Sequence, residues 1–196
     1  KPGKGDGQTK WMISFDGGGW CFNDKDCFRI SQEPIGSSKT YSASPSPEQF
    51  INNYFSTSPV GNFLFNWNMI LVKYCDGGSF TGNSQSTYNG NTLYFRGSRL
   101  LDAFLSELQI KLNASSATDM IISGNSAGGL SALLHVDKFA ETFPGAFVVG
   151  MPDSGFFLPY DNEKCEFPYK SSMLQMFDYM NSSAGTHKAC LAAGLG

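Results

Sequence analysis

Four short apolar runs are spaced along the chain, and each is closed by glycine, proline or another turn-forming residue. They cover residues 11–15, 69–74, 120–123 and 147–151. Apolar runs of this length between turn signals are typical of buried strands, so the pattern predicts four of them.

Two longer stretches have apolar positions at helical spacing and predict helices over residues 97–112 and 130–143. Strands that alternate with helices are typical of a mostly parallel sheet, because parallel strands need crossover connections. We therefore expect an α/β fold with helices on both faces of the sheet, in a single domain over residues 1–196. Residues 31–59 predict a long surface loop with one helical turn near residues 48–54, and the pattern loosens beyond Asp153.

The motif Gly124-Asn125-Ser126-Ala127-Gly128 lies between the third predicted strand and the second predicted helix. This strand–turn–helix context is that of a nucleophile elbow, in which a strained turn exposes a serine hydroxyl at the carboxyl end of a sheet. Small residues on both sides let the strand and helix backbones approach. Ser126 is therefore the candidate nucleophile, and the backbone amide of Ala127 at the helix N-terminus can stabilise an oxyanion. The alternative is a glycine-rich turn that merely ends a strand.

A second glycine-rich segment, Asp16-Gly17-Gly18-Gly19-Trp20, directly follows the first predicted strand. In α/β hydrolases the second oxyanion donor comes from a loop after an earlier strand, so this segment is a candidate oxyanion loop. A simple tight turn is the alternative, and the downstream serine motif favours the oxyanion loop.

A base for Ser126 is harder to assign, because the chain has only two histidines. His135 lies on the predicted helix after the serine, where packing under the sheet is the more common arrangement. His187 follows at a usable distance, with Asp153, Asp161 and Asp178 in between, but it also fits an ordinary surface histidine.

Four aromatic residues have two possible roles, stacking on a sugar or packing in the core, and core packing is the more common one. They are Trp20, Trp67, Tyr74 and Phe80.

Composition narrows the class of protein. The net charge is −3, no Lys/Arg cluster is present, and no apolar run reaches the roughly 18 residues of a membrane span, so neither a nucleic-acid partner nor a membrane span is expected. The sequons at Asn113 and Asn181 agree with a secreted, extracellular glycoprotein. We expect no metal and no cofactor.

Five cysteines leave at least one without a partner inside the chain. Cys21 and Cys27 bracket a short polar loop at a spacing that a local disulfide can close. A zinc site is the competing interpretation, but neither histidine is close in sequence, and the disulfide is favoured. Disulfide pairing indicates an oxidising compartment.

Several blocks, in order along nearly the whole chain, resemble the pectin acetylesterase family, which also contains the Notum-type lipid deacylases. The blocks are Gly17-Gly18-Gly19-Trp20-Cys21, Gly36-Ser37-Ser38-Lys39, Asn66-Trp67-Asn68, Tyr74-Cys75-Asp76-Gly77-Gly78-Ser79-Phe80, Phe95-Arg96-Gly97, Ser123-Gly124-Asn125-Ser126-Ala127-Gly128-Gly129 and Asp153-Ser154-Gly155-Phe156-Phe157.

The resemblance implies an α/β-hydrolase fold with Ser126 as nucleophile and with Gly18, Gly19 and Ala127 as oxyanion donors. It also implies that Cys21 and Cys27 form a disulfide and that the partner of Cys75 lies upstream of Lys1. The triad Asp and His are expected beyond Gly196, so this is an incomplete domain that is inactive alone and has the C-terminal part of the same protein as a partner. Because the resemblance implies a triad Asp and His beyond Gly196, it argues against His187 as the base. Asp153 is then expected to be a structural residue near the floor of the site.

The expected activity is a serine esterase that removes acetyl groups from pectin or a similar acetylated cell-wall polysaccharide. Notum-like members carry a bulky Trp where Gly19 stands here, so a short acyl group is favoured over a fatty acyl chain. The alternatives are a Notum-like lipid esterase and a non-catalytic binding or structural protein on a hydrolase scaffold.

Overall fold

A computed structural model describes residues 1–42, 55–159 and 169–193. Within these ranges it contains strands and α-helices with the following bounds: β1 Lys10–Phe15, α1 Asp24–Ile30, β2 Asn68–Val72, β3 Ser84–Tyr88, β4 Asn91–Phe95, α2 Gly97–Ile110, β5 Asp119–Asn125, α3 Ala127–Thr142, β6 Phe147–Asp153, α4 Tyr169–Tyr179 and α5 Lys188–Ala192.

The central sheet has four parallel strands in the order β2-β1-β5-β6. Ile13 in β1 lies opposite Ile70 of β2 and Ile122 of β5, which fixes the register across the three strands. The fold is therefore α/β with a mostly parallel sheet, as the alternation of strands and helices predicts. Strands β3 and β4 form a separate antiparallel hairpin.

The two faces of the sheet pack against different parts of the chain, because successive strand residues point to opposite sides. On one face, Ile13 and Ile122 share a buried cluster with Leu101 of α2 and Phe139 of α3. On the other face, Met12 packs in a cluster with residues of the segment before β2, namely Phe55 and Leu64, and with Met69 of β2. Burying each large apolar side chain contributes roughly 1.5–3 kcal/mol, so these two layers are the main stabilising contacts of the sheet.

All four predicted strands and both predicted helices are present, with shifted ends. The main shift is in α3, which begins at Ala127 rather than at residue 130, because the turn at Ser126 leads directly into the helix. The expected helical turn near residues 48–54 lies outside the described residues. The described part of the predicted 31–59 loop holds a 3-10 turn at Ser38–Thr40.

The segment between Cys21 and Cys27 is helical from Asp24 onward, whereas the sequence predicts only a polar loop there. The side chain of Asn23 accepts a 3.0 Å hydrogen bond from the amide of Asp26 and caps α1, which begins at Asp24. Cys21 and Cys27 are both buried and form the expected disulfide. Among the described helices, none combines the length and the apolar character needed to cross a bilayer.

Candidate active site

Ser126 occupies a tight turn between the end of β5 and the start of α3. Its φ of 55° and ψ of −121° lie in a region that non-glycine residues rarely adopt. Its amide donates a 3.0 Å hydrogen bond to the carbonyl of Asp153 at the end of β6, and its carbonyl accepts a 3.0 Å bond from the amide of Leu130. The strained turn is thus held from both sides, in the geometry expected of a nucleophile elbow.

The elbow needs glycine because three backbones converge there. A Cβ on Gly128 would overlap the carbonyl oxygen of Phe15, at the end of β1. A larger residue would push the first turn of α3 away from the sheet and displace Ser126. This close approach is the physical reason for the small residues around the serine.

The glycine-rich loop that follows β1 lies against this elbow, because β1 and β5 are neighbours and end at the same edge of the sheet. An ideal Cβ on Gly17 would lie 3.3 Å from Cβ of Ser126 and 3.4 Å from the backbone nitrogen of Ala127. Gly19 has a φ of 72°. Within the described residues, the amides of Gly18 and Gly19 donate to no acceptor.

The N-terminus of α3 creates a positive potential beside Ser126. The first amides of a helix have no intrahelical partner, and α3 runs over 16 residues, so the amide of Ala127 points out of the helix with the positive end of its dipole. The Asp16 carboxylate next to the loop is bonded to Lys73 at 2.8 Å. Chemically, the arrangement can accommodate a developing oxyanion.

A hydrogen-bonded side-chain network under the loop was not foreseen from the sequence. The Tyr74 hydroxyl donates to the Gly19 carbonyl at 2.7 Å, and the Ser79 hydroxyl donates to the Ala127 carbonyl at 2.9 Å. Burial raises the pKa of Tyr74, which keeps this hydroxyl protonated and able to donate. Both residues belong to one of the blocks quoted above, but a serine in the left-handed region leaves no local sequence signal.

Of the four aromatic side chains considered as a sugar platform, Trp20 lies in the loop itself, directly after Gly19. It packs edge-on against Phe157, with ring centroids 4.9 Å apart. Tyr74 and Phe80 are buried in the core. Trp67 packs at the opposite face of the sheet with Lys10 over its ring.

The structure places neither histidine on Ser126. His135 is buried and its Nε2 donates to the Ser79 carbonyl at 2.9 Å, as expected for a residue packed under the sheet. His187 lies near the surface, where its Nε2 is 3.1 Å from the Glu141 carboxylate.

The aspartates considered with the histidines lie in different places. The Asp153 carbonyl accepts from Ser126, and its carboxylate accepts from the Ser154 hydroxyl at 3.1 Å, next to the floor of the site. Asp178 is exposed on α4, and Asp161 lies outside the described residues.

The remaining predicted sites lie away from this edge. Asn113 and Asn181 are both exposed. Cys75 is half-buried and Cys190 exposed, each without a disulfide partner among the described residues, whereas Cys165 lies outside them. Within the described residues, no group of three His, Cys, Asp or Glu side chains is arranged to hold a metal ion.

The pectinacetylesterase family model matches residues 1–193. The chain is 38% identical to pectin acetylesterase 11 of Arabidopsis thaliana over 80% of its own length and 39% of that protein. It is 31% identical to the palmitoleoyl-protein carboxylesterase NOTUM of Mus musculus, over 81% of this chain and 31% of the relative. The chain thus spans about two fifths or less of the length of these relatives.

Proposed function

Because this chain belongs to the pectinacetylesterase family, we propose that it carries the nucleophile of a serine carboxylic ester hydrolase. The substrate would be pectin or a similar acetylated polysaccharide, from which the complete protein removes acetyl groups. The observation that carries this proposal is the strained turn of Ser126 at the N-terminus of α3, with the Gly17–Gly19 loop against it.

The chemistry follows from these groups. The Ser126 hydroxyl gives its proton to a base and attacks the acetyl carbonyl, and the amides of Gly18, Gly19 and Ala127 stabilise the oxyanion of the tetrahedral intermediate. The carbon–oxygen bond to the sugar breaks, and the sugar oxygen takes up the proton. Water then attacks the acetyl-serine, and acetate leaves with Ser126 restored.

The base itself has to come from elsewhere. Both histidines of the sequence are described and bonded to other groups, His135 to Ser79 and His187 to Glu141. We therefore assign the histidine base and its carboxylate partner to parts of the protein outside residues 1–196, as the family resemblance implies. The domain would then be formed by these residues together with that further segment.

We expect the substrate ester to carry a short acyl group rather than a fatty acyl chain. Gly19 presents no side chain at the loop position where, by the family resemblance, Notum-like members have a bulky Trp. Among the described residues, apart from the chain neighbours of Gly19, no atom lies within 4 Å of the position of a Cβ there. A fatty acyl ester is the second candidate, because the chain is also 31% identical to a palmitoleoyl-protein carboxylesterase. Exposed apolar side chains at Phe156 and Leu158, in the same segment as Phe157, could contact a longer chain.

An extracellular location fits the same proposal. The buried Cys21–Cys27 disulfide needs an oxidising compartment to form and persist. The exposed sequons at Asn113 and Asn181 are available for glycosylation. A polysaccharide of the cell wall would be met in this compartment.

The test uses the complete protein and acetylated pectin, with released acetate as the readout. Ser126→Ala should lower turnover by at least about 10³-fold and leave the melting temperature unchanged. Ser98→Ala, which removes a buried hydroxyl bonded to the Gly82 carbonyl, is the control and keeps its activity. Unchanged turnover in Ser126→Ala contradicts the proposal, and faster turnover of longer acyl esters by the native protein supports the second candidate.

A further inference from the structure

Ser79 is hydrogen-bonded to four different residues around the candidate site, two of which, Ala127 and His135, belong to α3. Its hydroxyl accepts from Nε1 of Trp20 at 2.8 Å and donates to the carbonyl of Ala127 at 2.9 Å. Its amide donates to the hydroxyl of Tyr74 at 3.2 Å, and its carbonyl accepts from Nε2 of His135 at 2.9 Å. Every polar group of this buried residue is therefore hydrogen-bonded, and the four partners are four different residues.

The backbone of Ser79 is held in an unfavourable conformation. Ser79 has a φ of 53° and the next residue, Phe80, has a φ of 60°. Two consecutive non-glycine residues in the left-handed region persist only where the surroundings fix them, and such strain is concentrated at functional sites. The four hydrogen bonds of Ser79 provide that constraint.

Two of these connections lead to the candidate oxyanion donors. The Ala127 carbonyl, which also accepts from the Ser131 hydroxyl at 2.9 Å, accepts from Ser79, and this bond restrains the first turn of α3, which begins with the Ala127 amide. Through the Tyr74 hydroxyl, which donates to the Gly19 carbonyl, Ser79 also fixes the glycine-rich loop. The two halves of the oxyanion site come from distant parts of the sequence, and Ser79 lies between them.

We propose that Ser79 is a positioning residue for the reaction at Ser126. Its single hydroxyl is hydrogen-bonded both to the N-terminal turn of α3 and to the ring of Trp20, and so fixes their positions relative to each other. This inference rests on the proposed esterase function. Trp20 packs against Phe157 and so belongs to the wall beside the site, which makes Ser79 a link between that wall and the oxyanion donors. An oxyanion donor displaced by about 1 Å can cost up to about 10²-fold in rate.

The first experiment compares Ser79→Gly with the control Ser98→Ala in the complete protein, using an acetyl ester. Glycine adopts the left-handed region without strain, so Ser79→Gly removes the hydroxyl without adding a backbone cost. We expect kcat to fall about tenfold with little change in KM, because the lost positioning acts mainly in the transition state. Ser98→Ala loses a comparable buried hydroxyl bond and should keep its kcat.

The second experiment measures whether Trp20 and Ser79 act through the same hydroxyl. Trp20→Phe removes the indole donor and keeps an aromatic ring, so kcat should fall several-fold. In the double variant Trp20→Phe/Ser79→Gly, the loss should not exceed that of Ser79→Gly alone. Because Trp20→Phe is a mild change, it keeps the inference testable if Ser79→Gly does not fold.

The outcomes separate this inference from the proposed function. If Ser126→Ala is inactive while Ser79→Gly keeps the native kcat, Ser79 has no positioning role and the esterase proposal stands. Additive losses in the double variant also overturn the inference. If Ser126→Ala keeps full activity, the proposed function fails first, and the positioning role fails with it.

Discussion

The Asp76 carboxyl is bonded to the backbone of Phe80: its Oδ2 accepts the Phe80 amide at 2.9 Å. Its Oδ1 has no hydrogen-bond partner within the described residues. The side chain is buried, and burial raises its pKa to about 7, since the charged form is poorly solvated there. Asp76 lies three residues before Ser79, so its protonation affects the loop that carries the hydrogen-bonded network.

The raised pKa of Asp76 predicts that stability decreases as pH rises. The unfolded chain releases this proton near pH 4, whereas the folded protein keeps it until about pH 7. The stabilising contribution is therefore complete below pH 4 and is lost as pH rises through 7. Asp76→Asn keeps an acceptor for the Phe80 amide and removes the charge, so its melting temperature at pH 8 should exceed the native value by on the order of 5 °C.

Thermal melting of both proteins between pH 4 and 8 checks this expectation. The two curves should separate progressively as the pH rises from 4 to 7 and stay apart up to pH 8. Asp102→Asn is the control, because Asp102 is exposed and paired with Lys138. Parallel curves for the native protein and Asp76→Asn over the whole range would show that Asp76 does not titrate there.

The lowered pKa of His135 predicts that stability decreases as the pH falls, which is opposite to the dependence expected from Asp76. His135 is buried against Phe15 and donates to the Ser79 carbonyl, and burial lowers its pKa to about 4. The stability that depends on its neutral form is present above pH 6.5 and is lost as pH falls toward 4, because the unfolded chain takes up the proton first. His135→Gln keeps a donor for the Ser79 carbonyl. Its melting temperature should therefore fall less between pH 6.5 and 4.5 than that of the native protein, and equal slopes would contradict this.

The main sheet could be predicted from the sequence because its signals are local. Apolar runs closed by turn-forming residues predict four strands, and the helical period of residues 97–112 predicts α2. The hairpin of β3 and β4 was missed, since the alternating polar residues of 84–88 do not form an apolar run. Its turn residues Asn89 and Gly90, both at positive φ, are a recognised hairpin signal and could have revealed it.

The candidate site was predictable only where a motif carries its own geometry. The elbow of Ser126 follows from its glycines and from the strand before it. Ser79 could not be found this way, because its role depends on contacts with Trp20, Ala127 and His135, which are 48 or more residues away along the chain. Long-range polar contacts of single serines leave no periodic pattern, and folding alone brings them together.

The Cys21–Cys27 disulfide should stabilise the protein by closing the short segment in which α1 begins. The double variant Cys21→Ser/Cys27→Ser should lose about 2 kcal/mol of unfolding free energy, from the loop entropy of so short a segment. Denaturant unfolding of both proteins measures the difference. In excess reductant the two proteins should unfold at similar denaturant concentrations, and a difference that persists there would have another cause.

Glycosylation at the two sequons tests the expectation that the protein is secreted. Asn113 and Asn181 are exposed and precede the 3-10 turns Ala114–Ser116 and Ser182–Ala184. In a eukaryotic secretory host, Asn113→Gln and Asn181→Gln should each remove one glycan and increase electrophoretic mobility, with an additive effect in the double variant. Endoglycosidase treatment should bring all forms to one mobility. A secreted native protein with no shift in either variant would contradict the assignment of these sequons.

Gly19 and Gly90 have similar positive φ values, so the same substitution at both positions distinguishes the effect of backbone strain on stability from an effect on catalysis. Both have positive φ, 72° and 75°, and in the described part of the chain, their own chain neighbours aside, no atom lies within 4 Å of an ideal Cβ on either. Gly19→Ala and Gly90→Ala should therefore each lower the free energy of unfolding by a similar amount, about 1–2 kcal/mol. Gly19 lies in the candidate oxyanion loop, so Gly19→Ala alone should also lower kcat for an acetyl ester, by about tenfold or more as the loop shifts. If both variants lose stability and both keep the native kcat, the amide of Gly19 is not an oxyanion donor, and the loop after β1 serves only to connect β1 with α1.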